Sequence, residues 1–100
     1  MARTLAELLD DLETVEDDLT VYAATRNGLD GDSAAVVAME SEDGVAPPEA
    51  AGMAYIVEVG LAKEAIRIWS EWRNGATPTS EDRVAAVVYY ATHDAYLPVE

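Results

Sequence analysis

MAYIVEVGLAKEAIRIWSEWRNG, residues 53–75, changes its period at its midpoint. Met53, Tyr55, Val57 and Val59 alternate with Ala54, Ile56 and Glu58, the two-residue repeat of a strand. Gly60 interrupts that repeat. From Leu61 onward the apolar residues recur at helical spacing. Leu61, Ala65, Ile68, Trp69 and Trp72 share one arc, while Glu64, Arg67 and Glu71 lie opposite at ion-pair spacing. Trp72 is near the middle of the arc and is expected in the core, packed on a sheet; Trp69 is expected at its edge. Asn74-Gly75 closes the helix as a left-handed cap. A strand running into a helix is thus the centre of the fold.

Upstream, TLAELLDDLE (4–13) reads as a short helix. Thr4 and Glu7 have the spacing of a capping box. Leu5, Leu8, Leu9 and Leu12 form one apolar stripe, and acids late in the helix oppose its dipole, so that its end should fray. LTVYAAT (19–25) alternates as a strand, with Leu19, Val21 and Ala23 on one face. RNGLDGDS (26–33) is a turn by composition. AAVVAM (34–39) is a second strand. ESEDGVAPPEAAG (40–52) is a polar loop whose Pro-Pro pair cannot occupy a central strand. Downstream, Thr77 has the position of an N-cap and Pro78 that of a first helical residue. The last helix is expected to run to about Tyr96 and to stop at Pro98. The order is αβββαα in one domain, 1–100. This predicts an α+β fold with a three-stranded antiparallel meander and helices on one face.

Residues 47–72, together with YYATHDAY (89–96), resemble a family of short acidic prokaryotic proteins of unknown function. In that family a polar loop with proline precedes a strand ending in Glu-Val and a helix with tryptophan. The resemblance covers about half of the chain, implies no known activity, and supports the strand-to-helix reading.

The net charge is −14, from twenty acids against six bases. Residues 1–50 hold thirteen acids and two bases, and residues 51–100 hold seven and four, so the field comes mainly from the first half. Such a field repels nucleic acid and anionic lipid and attracts basic surfaces. Acidity also raises solubility. Arginine supplies five of the six bases, and Ala and Val abound, a pattern shared with proteins of salt-accumulating microbes. There is no cysteine, which excludes disulfides, thiol catalysis and thiolate metal sites. No eighteen-residue apolar run spans a membrane, and the N-terminus lacks a signal peptide's apolar core. A cytoplasmic location is expected.

VVYYATHDAY (87–96) holds the single histidine. On a helix, Val84, Val87, Val88, Ala91 and Ala95 form the core face. Tyr89, His93 and Tyr96 form a second stripe, suited either to a partner or to half-buried packing. His93 and Asp94 are neighbours whose side chains diverge, so they make no catalytic dyad. Asp30 and Asp32 open a D-x-D pattern, but Ala35 and Ser41 occupy the glycine and glutamate places of a calcium loop. No metal or cofactor is expected. The exposed pairs Asp10-Asp11 and Asp17-Asp18 lack the facing geometry of a carboxylate dyad. These four acids, with Tyr89, His93 and Tyr96, are the candidate partner-binding residues. The expected function is a non-enzymatic module that binds a basic protein surface, in the manner of an immunity protein, an antitoxin or a nucleic-acid mimic. A homodimer through the last helix is a further expectation. The alternatives are a housekeeping or ligand-binding protein with salt-adapted acidity, and a small enzyme using His93.

Overall fold

The computed structural model describes residues 3–26, 28–40 and 47–99. Asn27 of the expected Asn-Gly turn, Ser41, and the acidic part of the loop before Pro47 lie outside the described residues. The fold is α+β, with four strands rather than three. The order is β1 (Arg3–Thr4), α1 (Leu5–Asp10), β2 (Thr20–Ala23), β3 (Ala34–Ala38), β4 (Ala54–Glu58), α2 (Val59–Glu71) and α3 (Ser80–His93). Short 3-10 turns occupy Leu12–Thr14 and Pro48–Ala50.

The sheet is antiparallel throughout, in the order β1-β3-β2-β4. It is not the expected meander. β4 pairs with β2, so the connection from β3 crosses the far face of the sheet instead of turning back in a hairpin. Its 3-10 turn lies on that face, where Ala50 and Ala38 bury Tyr22 and Met53 packs beside them. The prolines explain the route: they cannot extend the ladder, and they favour a turn that covers it. The added strand, β1, has only two residues, too few to show a period. It pairs Arg3 with Ala35 and Thr4 with Ala34.

Thr4 also caps α1. Glu7 N–H donates to Thr4 Oγ1 at 3.2 Å, and Thr4 N–H donates to Glu7 Oε1 at 3.0 Å, completing the expected capping box. The carboxyl of Glu7 accordingly lies below its usual pKa, chiefly through the Thr4 backbone bond and then the Thr4 hydroxyl. The leucine stripe is buried as expected. Leu5, Leu8, Leu9 and Leu12 meet Val21 and Ala23 of β2, Ala35 of β3, Val57 of β4, Val59 and Ala62 of α2, and Val87 of α3. All three helices therefore cover one face of the sheet.

The alternation of 53–59 is broken within β4. Val21 pairs with Val57, but Tyr22 pairs with Tyr55, leaving Ile56 as the extra residue of a β-bulge. Ile56 and Val57 both reach the helix-covered core, while Tyr55 faces Tyr22 edge-on at 6.0 Å on the other side. Met53 and Val57 are thus on opposite faces, contrary to the plain two-residue repeat.

α2 follows β4 with no intervening loop. Its first N–H groups are satisfied by the loop before β2: Val59 donates to Leu19 O at 2.9 Å and Gly60 to Asp17 O at 3.1 Å. A Cβ on Gly60 would stand 3.3 Å from Asp17 Cβ, a tight contact that the 15–19 loop would have to yield to by a few tenths of an ångström. Because Val59 is fully buried, it sets the helix phase. Ala62, Ile66 and Trp69 follow it inward, and Trp72 turns out, 49% exposed. The expectation that Trp72 is core is therefore wrong. Asn74 and Gly75 are both left-handed beyond α2, as expected, and Gly75 N–H returns to Ser70 O at 2.8 Å. α3 is capped by Thr79, not Thr77, through a second capping box with Asp82.

Leu9→Ala should lower unfolding free energy by about 2–5 kcal/mol, the cost of a core leucine cavity. Trp72→Ala should cost less than half as much, because half of the ring is already in water. Urea midpoints of the two variants check the order.

Candidate interaction surface

Three of the four N-terminal candidate acids have basic partners within the chain. Asp10 accepts from Arg83 Nη1 at 2.9 Å and from Ser80 Oγ at 3.1 Å, joining α1 to the start of α3. Asp11 accepts from Arg3 Nη2 at 2.6 Å, tying β1 to the end of α1. Asp17 accepts from Lys63 Nζ at 2.7 Å, and the same ammonium donates to Val15 O at 2.6 Å. That ammonium, with Gly60 N–H, clips the 15–19 loop onto α2. Asp18 is exposed and makes no ion pair among the described residues. Glu13 and Glu16 beside it are exposed as well.

The second candidate group divides. α3 ends at His93, three residues short of Tyr96, because Asp94 is left-handed at φ 54°. Aspartate tolerates that conformation better than most side chains. Tyr89 and His93, one turn apart, share a stripe as expected, and their ring centroids lie 4.3 Å apart. Tyr96 leaves their stripe altogether. Its ring lies 5.9 Å from Trp72, edge-on, and 5.4 Å from Tyr90. Its hydroxyl donates to Glu64 Oε1 of α2. Arg73 lies over the Trp69 ring, 4.6 Å from its centroid, and donates to Pro98 O at 3.0 Å. The segment after α3 is thus clasped onto α2. Glu64, Trp72 and Tyr90, which complete this cluster, are absent from the sequence-derived candidates. The signal was the αL tolerance of Asp94, which frees Tyr96 from helical spacing.

Two concave features flank these groups. A groove of about 680 Å³ runs between the end of α1, α2 and the start of α3. Lys63, Arg67 and Arg83 line it, each paired with a carboxylate: Asp17, Glu71 and Asp10 respectively. A trough of about 310 Å³ runs beside β4, lined by Tyr55, Ile56, Leu61, Tyr90, Ala91 and Asp94. Tyr55 is 47% exposed there and Leu61 36%. Among the described residues, no three His, Cys, Asp or Glu side chains gather as a metal site. Asp30 accepts from Asp32 N–H at 2.9 Å, so this D-x-D stretch closes a turn on itself. Every buried side-chain polar atom among the described residues has a hydrogen-bond partner. No described helix is long and apolar enough to cross a membrane.

No protein-family model, curated protein or solved structure matches this chain. The roles of its residues rest on their geometry.

The bond from Tyr96 to Glu64 raises the phenol's pKa above its ordinary value, with smaller contributions from burial and from the Glu64 charge. The neutral phenol is the bonded form. The clasp is therefore complete below the ordinary phenol pKa of about 10 and is lost as pH rises through the higher folded value. Tyr96→Phe should speed amide exchange in residues 94–99 at neutral pH and abolish the alkaline release expected of the parent chain. Exchange measured across the alkaline range checks both outcomes.

Proposed function

We propose that the protein is a non-enzymatic interaction module that binds a basic protein surface. One observation carries this reading. Arg3, Lys63, Arg67 and Arg83 are all engaged by acids of the same chain. A fifth base, Arg73, lies over Trp69. Five of the six bases are thus engaged within the chain, Arg26 being exposed, and the exposed surplus is carboxylate, including Glu13, Glu16 and Asp18 along one stretch. Such a surface accelerates encounter with a basic partner and repels acidic ones. Elsewhere on the surface, exposed Tyr55 and the half-buried Tyr89 beside exposed His93 supply ring contact area of the kind that holds complexes. An immunity-like, antitoxin-like or nucleic-acid-mimic role fits this chemistry. Self-association through α3 fits it less well, because each copy carries −14.

The paired and unpaired acids have different expected roles. Neutralising Glu13, Glu16 and Asp18 together should slow association and flatten its salt dependence while leaving stability nearly unchanged. Asp17→Asn should instead loosen the 15–19 loop, at a cost of about 0–1 kcal/mol for an exposed pair. The test is capture from extract of the native host, followed by purification of each recovered protein and rebinding one at a time. A basic protein that rebinds at a rate falling steeply with salt supports the reading. A tight partner that is neutral or acidic, or a rate indifferent to salt, overturns it. Salt-adapted acidity makes a different prediction: thermal stability that climbs up to molar KCl, with no partner recovered.

A further inference from the structure

We infer that the outer edge of β4 is the docking site for an extended, basic segment of the partner, added as a fifth strand. This deepens the reading above and rests on it.

β4 is the end strand of the sheet, and no other strand pairs with its outer side among the described residues. At the opposite end, β1 caps part of β3, and the Pro48–Ala50 turn packs against that strand. Open edges in soluble proteins are commonly blunted by lysine or proline. β4 reads Ala-Tyr-Ile-Val-Glu and has neither, the bulge at Ile56 being the one such device it carries. The trough described above follows this edge, with Tyr90, Ala91 and Asp94 of α3 as its far wall and Leu61 at its end. An entering strand would find main-chain groups on one side and exposed apolar surface, Tyr55 and Leu61, for its own apolar residues.

The charges select the occupant. Asp94 lines the trough, and Glu58 is the last residue of the strand. Glu40 lies close enough to Tyr55 to act on its phenol, as does Glu58. No basic side chain lines the trough. An alternation of apolar and basic residues would complement both components. A second copy would not. It would bring the same carboxylates together, and Ile56 is the middle residue of β4, so a two-fold pairing centred on the strand sets bulge against bulge. The bulge thus guards against self-pairing without closing the edge to a different strand.

The test uses the full chain, isotope-labelled for amide NMR, with three seven-residue probes. One alternates Arg and Val with Arg at both ends, one is the same but for proline in place of the central Val, and one alternates Glu and Val. The proposal expects the Arg-Val peptide to shift amides of residues 54–58, 61 and 90–94 and to slow exchange in β4. The proline-interrupted and acidic peptides should do neither. Glu58→Gln with Asp94→Asn should weaken the Arg-Val peptide at least about tenfold; asparagine keeps the left-handed backbone at 94. If both basic peptides bind equally and the shifts spread over Glu13, Glu16 and Asp18, the edge site is wrong while attraction to basic surfaces stands. If neither basic peptide binds, both readings fall. Concentration-dependent shifts of the same residues in the chain alone would make a second copy the occupant and overturn the proposal.

Discussion

β2 is the constraint on which the rest depends. Each of its four residues, Thr20 to Ala23, is at most 3% exposed. The strand is paired on both edges and covered on both faces. A strand so placed needs two separate apolar surfaces. Val21 and Ala23 take the helices, and Tyr22 takes the crossover connection. The small second core under Pro48–Ala50 is therefore required by the position of β2, because an uncovered Tyr22 would leave the centre of the sheet open to water.

Scarcity of positive charge organises the exterior in a similar way. With six bases in the chain, each ion pair falls at a junction or along one helix. Arg83–Asp10 joins α3 to α1, Lys63–Asp17 joins α2 to the 15–19 loop before β2, and Arg3–Asp11 joins β1 to α1. Surface pairs of this kind contribute little individually. Here they also place negative charge beside positive charge at the joints of a strongly acidic chain, where repulsion between elements would otherwise be concentrated.

Much of the architecture was legible because its signals are local. The leucine stripe of α1, the Thr4–Glu7 box, the three longer strands and the Asn74-Gly75 stop each span a few residues and were read correctly. The strand partner of β4 was not legible, because pairing with β2 rather than β3 is a long-range choice. The Ile56 bulge was hidden for the same reason: it exists only relative to β2, and a perfect alternation in the sequence concealed it. Trp72 was misplaced because the helix phase is set by Val59, a residue assigned to the preceding strand. Of the candidate site, the Tyr89–His93 contact follows from one helical turn. The partners of Asp10 and Asp17 lie 73 and 46 residues away, beyond any reading of spacing.

The packing of α1 against α3 also has a consequence for how the chain is made. The apolar face of α1, residues 5–10, is completed by α3, residues 80–93, far along the sequence. β1, at residues 3–4, likewise waits for its pairing partners at 34–35. The leucine stripe therefore remains uncovered until α3 has been synthesised. Its folding waits on contacts of long sequence separation, which close slowly, and until they form the aggregation-prone surface is the leucine stripe itself.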